Sequence, residues 1–194
     1  MNKKLAIISL LLTAFSVPSG VLAATLFLNP EIGEHYVGDT FTAEVRVDTK
    51  GEVINTVEAD LVFSPDLLEV VGLEKENSIL NLWIGDPAYL NDEGLISFVG
   101  GLPAPGYQGK DGLIGKITFK VKGEGKAEIS FQENSSKVLV NDGFGTKALL
   151  TTEGAVYNLI SKKKPLYFLI VLLSIIFFII IVWGIRRLFA RDKR

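Results

Sequence analysis

Alternation with a period of two is the feature that most restricts what this chain can fold into. From Thr40 to Thr49, Phe41, Ala43, Val45 and Val47 alternate with Thr42, Glu44, Arg46 and Asp48. Successive side chains of a strand point to opposite faces, so this segment is a strand with one buried and one polar side. The pattern returns at Thr56–Phe63, where Val57, Ala59, Leu61 and Phe63 oppose Thr56, Glu58, Asp60 and Val62. It returns again at Leu113–Lys122 and at Lys126–Gln132. No helical periodicity of the about 10–15 residues that an α/β alternation needs lies between them, so a parallel α/β fold is excluded.

Turn residues punctuate these runs. Ser64-Pro65-Asp66 ends the second strand, because proline has no amide hydrogen for a ladder and disfavours helix in the residue before it. Lys50-Gly51 and Gly123-Glu124-Gly125 read as tight connections. Thr25–Asn29, Leu67–Leu73, Leu95–Val99, Val138–Val140 and Gly154–Leu159 read as further strands, and Glu31–Asp39 as a loop. Lys75–Glu93 is the least regular stretch, with room for one short strand or helical turn around Ile79–Ile84. About nine short strands at this spacing predict an all-β sandwich.

Both ends of the chain differ in kind. Residues 1–23 combine a basic start, an apolar run and Val21-Leu22-Ala23, the layout of a secretory signal peptide cleaved after Ala23. Leu166–Ile185 is 20 residues without a charge, and as a helix it would cover roughly 30 Å, the thickness of the hydrocarbon core. The expected organisation is therefore a signal peptide (1–23), a sandwich (24–160), a basic linker (161–165), one transmembrane helix (166–185) and a basic tail (186–194). The signal peptide directs the sandwich outside the cell and leaves the tail in the cytoplasm.

The segment Ala24–Ser161 carries 21 acidic and 10 basic residues, a formal charge of −11 that the whole-chain value of −2 conceals. Such a domain is a poor match for nucleic acid, whose phosphates want lysine and arginine. The chain has no cysteine, which rules out disulfides and thiolate metal sites. The single histidine, His35, sits in the expected N-terminal loop, where it reads as a surface residue with no nucleophile to activate. Glu58 and Asp60 face the same way, but on an open strand face nothing would raise one pKa above the other as acid–base catalysis requires. No enzyme and no cofactor is expected. Asn91-Asp92-Glu93 and Asn141-Asp142-Gly143 offer hard oxygen ligands, yet neither has the ordered spacing of a calcium loop, and both read as turns.

Several of these segments together resemble the cohesin family. They are Val37-Gly38-Asp39-Thr40-Phe41, Leu61 to Val71 around the proline turn, Ser78-Ile79-Leu80, Asp111 to Lys122, and the closing Gly154-Ala155-Val156-Tyr157. The resemblance runs from about Thr25 to Leu159 and implies a nine-stranded jelly-roll sandwich that binds dockerin modules of secreted proteins. It implies a footprint on one sheet face, here Thr56, Glu58 and Asp60, with a second contact region near Gly101 and Leu102. The chain departs from the family in having Ser64 where a carboxylate usually precedes the proline, and Gly101-Leu102-Pro103 where an acidic residue is common.

The alternative expectation is polysaccharide binding on the same fold, through aromatic rings that stack on sugar faces. Trp83, Tyr89 and Tyr107 lie in the irregular segments where such a platform could form. In either reading the protein holds a partner at the cell surface.

Overall fold

The computed structural model describes residues 23–162 and 166–191. The expected signal peptide, except for Ala23, and the last three residues of the tail lie outside them. The chain divides into two compact units, 1–160 and 161–194.

The first unit is a β-sandwich of thirteen strands among the described residues. In chain order these are β1 (Ala24–Asn29), β2 (Ile32–Tyr36), β3 (Thr40–Asp48), β4 (Ile54–Phe63), β5 (Leu68–Glu74), β6 (Leu82–Trp83) and β7 (Ala88–Leu90). They continue as β8 (Leu95–Gly101), β9 (Gly112–Val121), β10 (Gly125–Phe131), β11 (Lys137–Val140), β12 (Leu150–Glu153) and β13 (Ala155–Ile160). One sheet has the order β12-β1-β3-β9-β5, and the other β2-β13-β10-β4-β8-β6, with β11 also on β4 and β7 also on β8.

The alternation read from the sequence is what closes the sandwich. Val45, Val47, Ile117 and Phe119 of the first sheet meet Val57, Ala59, Leu61, Phe98 and Ile129 of the second, all essentially without solvent contact. Burying side chains of this size contributes about 1.5–3 kcal/mol each, so the shared core dominates the stability of the unit.

The strand count differs from the nine expected. Glu31–Asp39, expected as a loop, contains β2, which pairs in parallel with β13. The irregular stretch holds two short strands, β6 and β7, that run one after the other along β8. Leu150–Glu153 is a further strand, in parallel register with β1. Each of these pieces lies at a sheet edge, where one side is unpaired and the strand need not carry a strong pattern of its own.

His35 belongs to β2 and is not a loop surface residue. Its ring stacks on Phe41 with centroids 4.0 Å apart and an interplanar angle of 4°, and it also meets Tyr157 at 5.6 Å. Its Nε2 is buried without a hydrogen-bond partner. Burial lowers its pKa from the ordinary value, partly opposed by the charge of Asp39.

The second unit contains a helix of 26 residues, α1 (Leu166–Arg191). Among the described residues no helix is long and apolar enough to cross a membrane. The span expected over Leu166–Ile185 is thus not established by this helix.

Candidate functional site

Strand β4 is central in the larger sheet, with β8 on one side and β10 and β11 on the other. The register sets what each outward side chain of β4 faces. Thr56 lies opposite Gly101, Glu58 opposite Val99, Asp60 opposite Ser97 and Val62 opposite Leu95. On the other side Lys137 lies opposite Glu58 and Leu139 opposite Thr56. The structure therefore brings Thr56, Glu58, Asp60 and Gly101 together on one outer face.

These residues are not equivalent. Glu58 forms an ion pair with Lys137, so its charge is already matched within the protein. The Thr56 hydroxyl donates to Asn55 Oδ1 at 3.1 Å. The backbone of Asp60 is held on both sides: its N–H donates to Ser136 Oγ, and Ser136 Oγ donates to its carbonyl, each at 3.1 Å. The Gln132 N–H also donates to that carbonyl at 2.8 Å. No protein group among the described residues bonds the Asp60 carboxylate. The backbone beneath it is held, and the carboxylate is open to a ligand.

Asp60 borders a surface groove of about 280 Å³ walled by Ala88, Tyr89, Leu90 and Leu95, with Ser97 and Gln132 at its polar side. The edge strand adds further apolar surface. Leu82 pairs with Gly101, Ala88 with Ser97 and Leu90 with Leu95, so all three share the outer face. Leu82, Ile84 and Leu90 are 57%, 71% and 55% exposed. Reasoning from the sequence missed this row, because β6 and β7 are too short to show alternation. The only signal was a run of apolar residues between breakers.

Leu102, the last of the expected contacts, is half-buried against the core, and its N–H donates to the Asn55 carbonyl at 2.7 Å. It positions the end of β8 more than it offers a side chain. Gly101 matters for closeness, because a Cβ there would approach the Asn55 carbonyl to 3.2 Å.

The three aromatic residues of the polysaccharide alternative do not form one platform. Trp83 is opposite Gly100 and packs against the core, with the Lys75 ammonium 5.8 Å from its ring centroid. Tyr107 also packs against the core, so tightly that a Cβ at Gly112 would come within 2.7 Å of its ring. Tyr89 alone of the three is exposed, in the wall of the groove. Stacking on a sugar needs a free ring face, and two of these rings have spent theirs on packing.

The acidic turns have structural roles. Asn91 bonds the backbone of Val70, and Asp142 accepts from the Phe144 N–H at 2.8 Å. Among the described residues no group of three or more histidine or carboxylate side chains is placed to hold a metal ion.

The chain matches the cohesin domain over residues 30–156. It belongs to the cohesin family. Solved cohesins have the same fold. One is the cohesin of a type I cohesin–dockerin complex from Clostridium thermocellum (Coh-OlpC with Doc435). It is 16% identical with a TM-score of 0.60, and the match covers 72% of this chain and 95% of that one. A non-cellulosomal cohesin from the archaeon Archaeoglobus fulgidus is 17% identical with a TM-score of 0.58, over 73% and 94% of the two chains. The seventh ScaB type I cohesin of Pseudobacteroides cellulosolvens is 18% identical with a TM-score of 0.56, over 74% and 96%. No curated protein matches the chain.

Proposed function

We propose that this cohesin captures a dockerin-type module of another protein on the outer face of its larger sheet, and that it does so from a membrane anchor outside the cell. The observation that carries the first part is the Asp60 carboxylate. It is held by its backbone, has no partner among the described residues, and lies at the lip of an apolar groove. A partner helix could seat apolar side chains along Leu82, Ile84 and Leu90 while a lysine, arginine or hydroxyl reaches Asp60. Apolar contacts of this kind supply affinity, and the charge sets encounter rate and register. The cohesin of similar fold from Clostridium thermocellum is found in complex with a dockerin, which supports the choice of partner class.

The anchor rests on sequence: 20 uncharged residues from Leu166 to Ile185, preceded by a chain whose first 23 residues have the layout of a signal peptide. Protease protection in intact cells tests it, since the sandwich should be digested from outside and the tail should not.

Capture is tested with the membrane-reconstituted chain and calcium-loaded dockerin-type modules from the same organism's secreted proteins. Asp60→Ala should weaken binding about ten- to a hundredfold, the range for a hydrogen bond to a charged group. Glu58→Gln should change it much less, because Lys137 already matches that charge. Failure of every module to bind, or binding indifferent to Asp60, would overturn the assignment.

A further inference from the structure

Phe144 is 91% exposed, more than any other large apolar residue described in the sandwich. It sits at the tip of the turn that follows β11, between Gly143 and Gly145, whose φ angles of 79° and 71° are ones that glycine adopts without strain. The turn is built. Asp142 accepts from the Phe144 N–H at 2.8 Å, and the Val140 N–H donates to the Thr146 carbonyl at 2.9 Å. Asn141 ties the base of the turn to two other segments, donating from its N–H to the Val53 carbonyl and from Nδ2 to the Pro105 carbonyl, both at 2.8 Å. A turn backbone held by so many bonds loses little freedom on binding, which favours its tip as a contact.

The position and charge of the turn narrow the occupant. Val140 pairs with Ile54 at one end of β4, whereas β10 meets Phe63 at the other end and its first residues pair with the last of β13. Phe144 is therefore at the end of the sheet opposite Ile160, and the formal charge of −11 on segment 24–161 argues against an anionic lipid surface. A second copy is disfavoured because the segment 24–161 carries a formal charge of −11 and would repel itself. What remains is a different protein with a complementary basic surface. The tip continues directly from Leu139, which lies beside Thr56 on the outer face.

We infer that Phe144 is an aromatic anchor of the capture interface. It enters an apolar pocket on the bound protein, and lysine or arginine side chains on the rim of that pocket face Asp142. The inference rests on the capture reading above and adds a contact outside the sheet.

The test again uses the reconstituted chain with calcium-loaded dockerin-type modules of the same organism. Phe144→Ala should weaken capture about thirtyfold or more, as truncating an interfacial aromatic hot spot does, with no change in melting temperature. Phe144→p-benzoylphenylalanine should crosslink to the module on illumination. Wild-type affinity in Phe144→Ala, or no crosslink, overturns the anchor. In that case a loss of capture in Asp60→Ala would still uphold the capture reading. If the wild-type chain captures no module, both fall together.

Discussion

At the scale of single residues, Asn91 shows how one side chain can finish a sheet. Its carboxamide accepts from the Val70 N–H at 2.8 Å and donates to the Val70 carbonyl at 3.0 Å. Those are the two bonds a neighbouring strand would make, and β5 is an edge strand. An unguarded edge invites pairing with another chain. Asn91→Ala should therefore lower stability by about 1–3 kcal/mol, the cost of leaving backbone groups unsatisfied, as measured by chemical denaturation. Gly94 is a second such residue. Its φ is 67°, and an added Cβ would collide with the Phe63 carbonyl. Gly94→Ala should also destabilise, and thermal melts of the two variants can be compared directly. Neither role was visible beforehand, because Asn91 read simply as a turn residue and both contacts join segments more than twenty residues apart.

At the scale of elements, β4 and β2 behave differently. β4 is paired on both sides, and its outer face is organised by partners far along the chain. The Glu58–Lys137 pair is partly exposed, with side chains 24% and 37% accessible. Solvent screens it, so Lys137→Ala should change stability by less than about 1 kcal/mol. The same substitution leaves Glu58 unmatched, and capture should become more sensitive to salt, read as the slope of association rate against ionic strength. β2 is an edge strand whose approach is held by the Tyr157 hydroxyl donating to the Pro30 carbonyl at 2.7 Å. Burial pushes that phenol up to about 12, so it keeps its proton throughout the usual range. Tyr157→Phe should cost about 1 kcal/mol, with the loss concentrated in faster hydrogen exchange along Ile32–Tyr36.

For the whole molecule, the expected pH dependence follows from His35. Its neighbours are Phe41, Tyr157 and the charge of Asp39, and burial lowers its folded pKa below the ordinary 6.5. Above that value the ring is neutral whether the chain is folded or not. As pH falls through 6.5, the unfolded chain takes up a proton that the folded one resists, so stability is lost until the folded pKa is passed. His35→Phe should flatten this part of the stability profile between neutral pH and about pH 5. The fold was legible wherever alternation was strong: β3, β4, β9 and β10 lie close to where the sequence places them. It was not legible for β2 and β12. Each of these pairs in parallel with a strand more than a hundred residues away, so no local pattern reports the contact. Of the candidate site, the face carrying Thr56, Glu58 and Asp60 was readable from period and polarity. The apolar row of Leu82, Ile84 and Leu90 was not. By itself the sequence determined an acidic, cysteine-free sandwich with one polar strand face, because side-chain period and composition are local properties. Only the tertiary structure decided that Glu58 is neutralised by Lys137 while Asp60 stays open beside a groove. That distinction depends on which distant strand falls into register beside β4, and register is set by packing of the whole core.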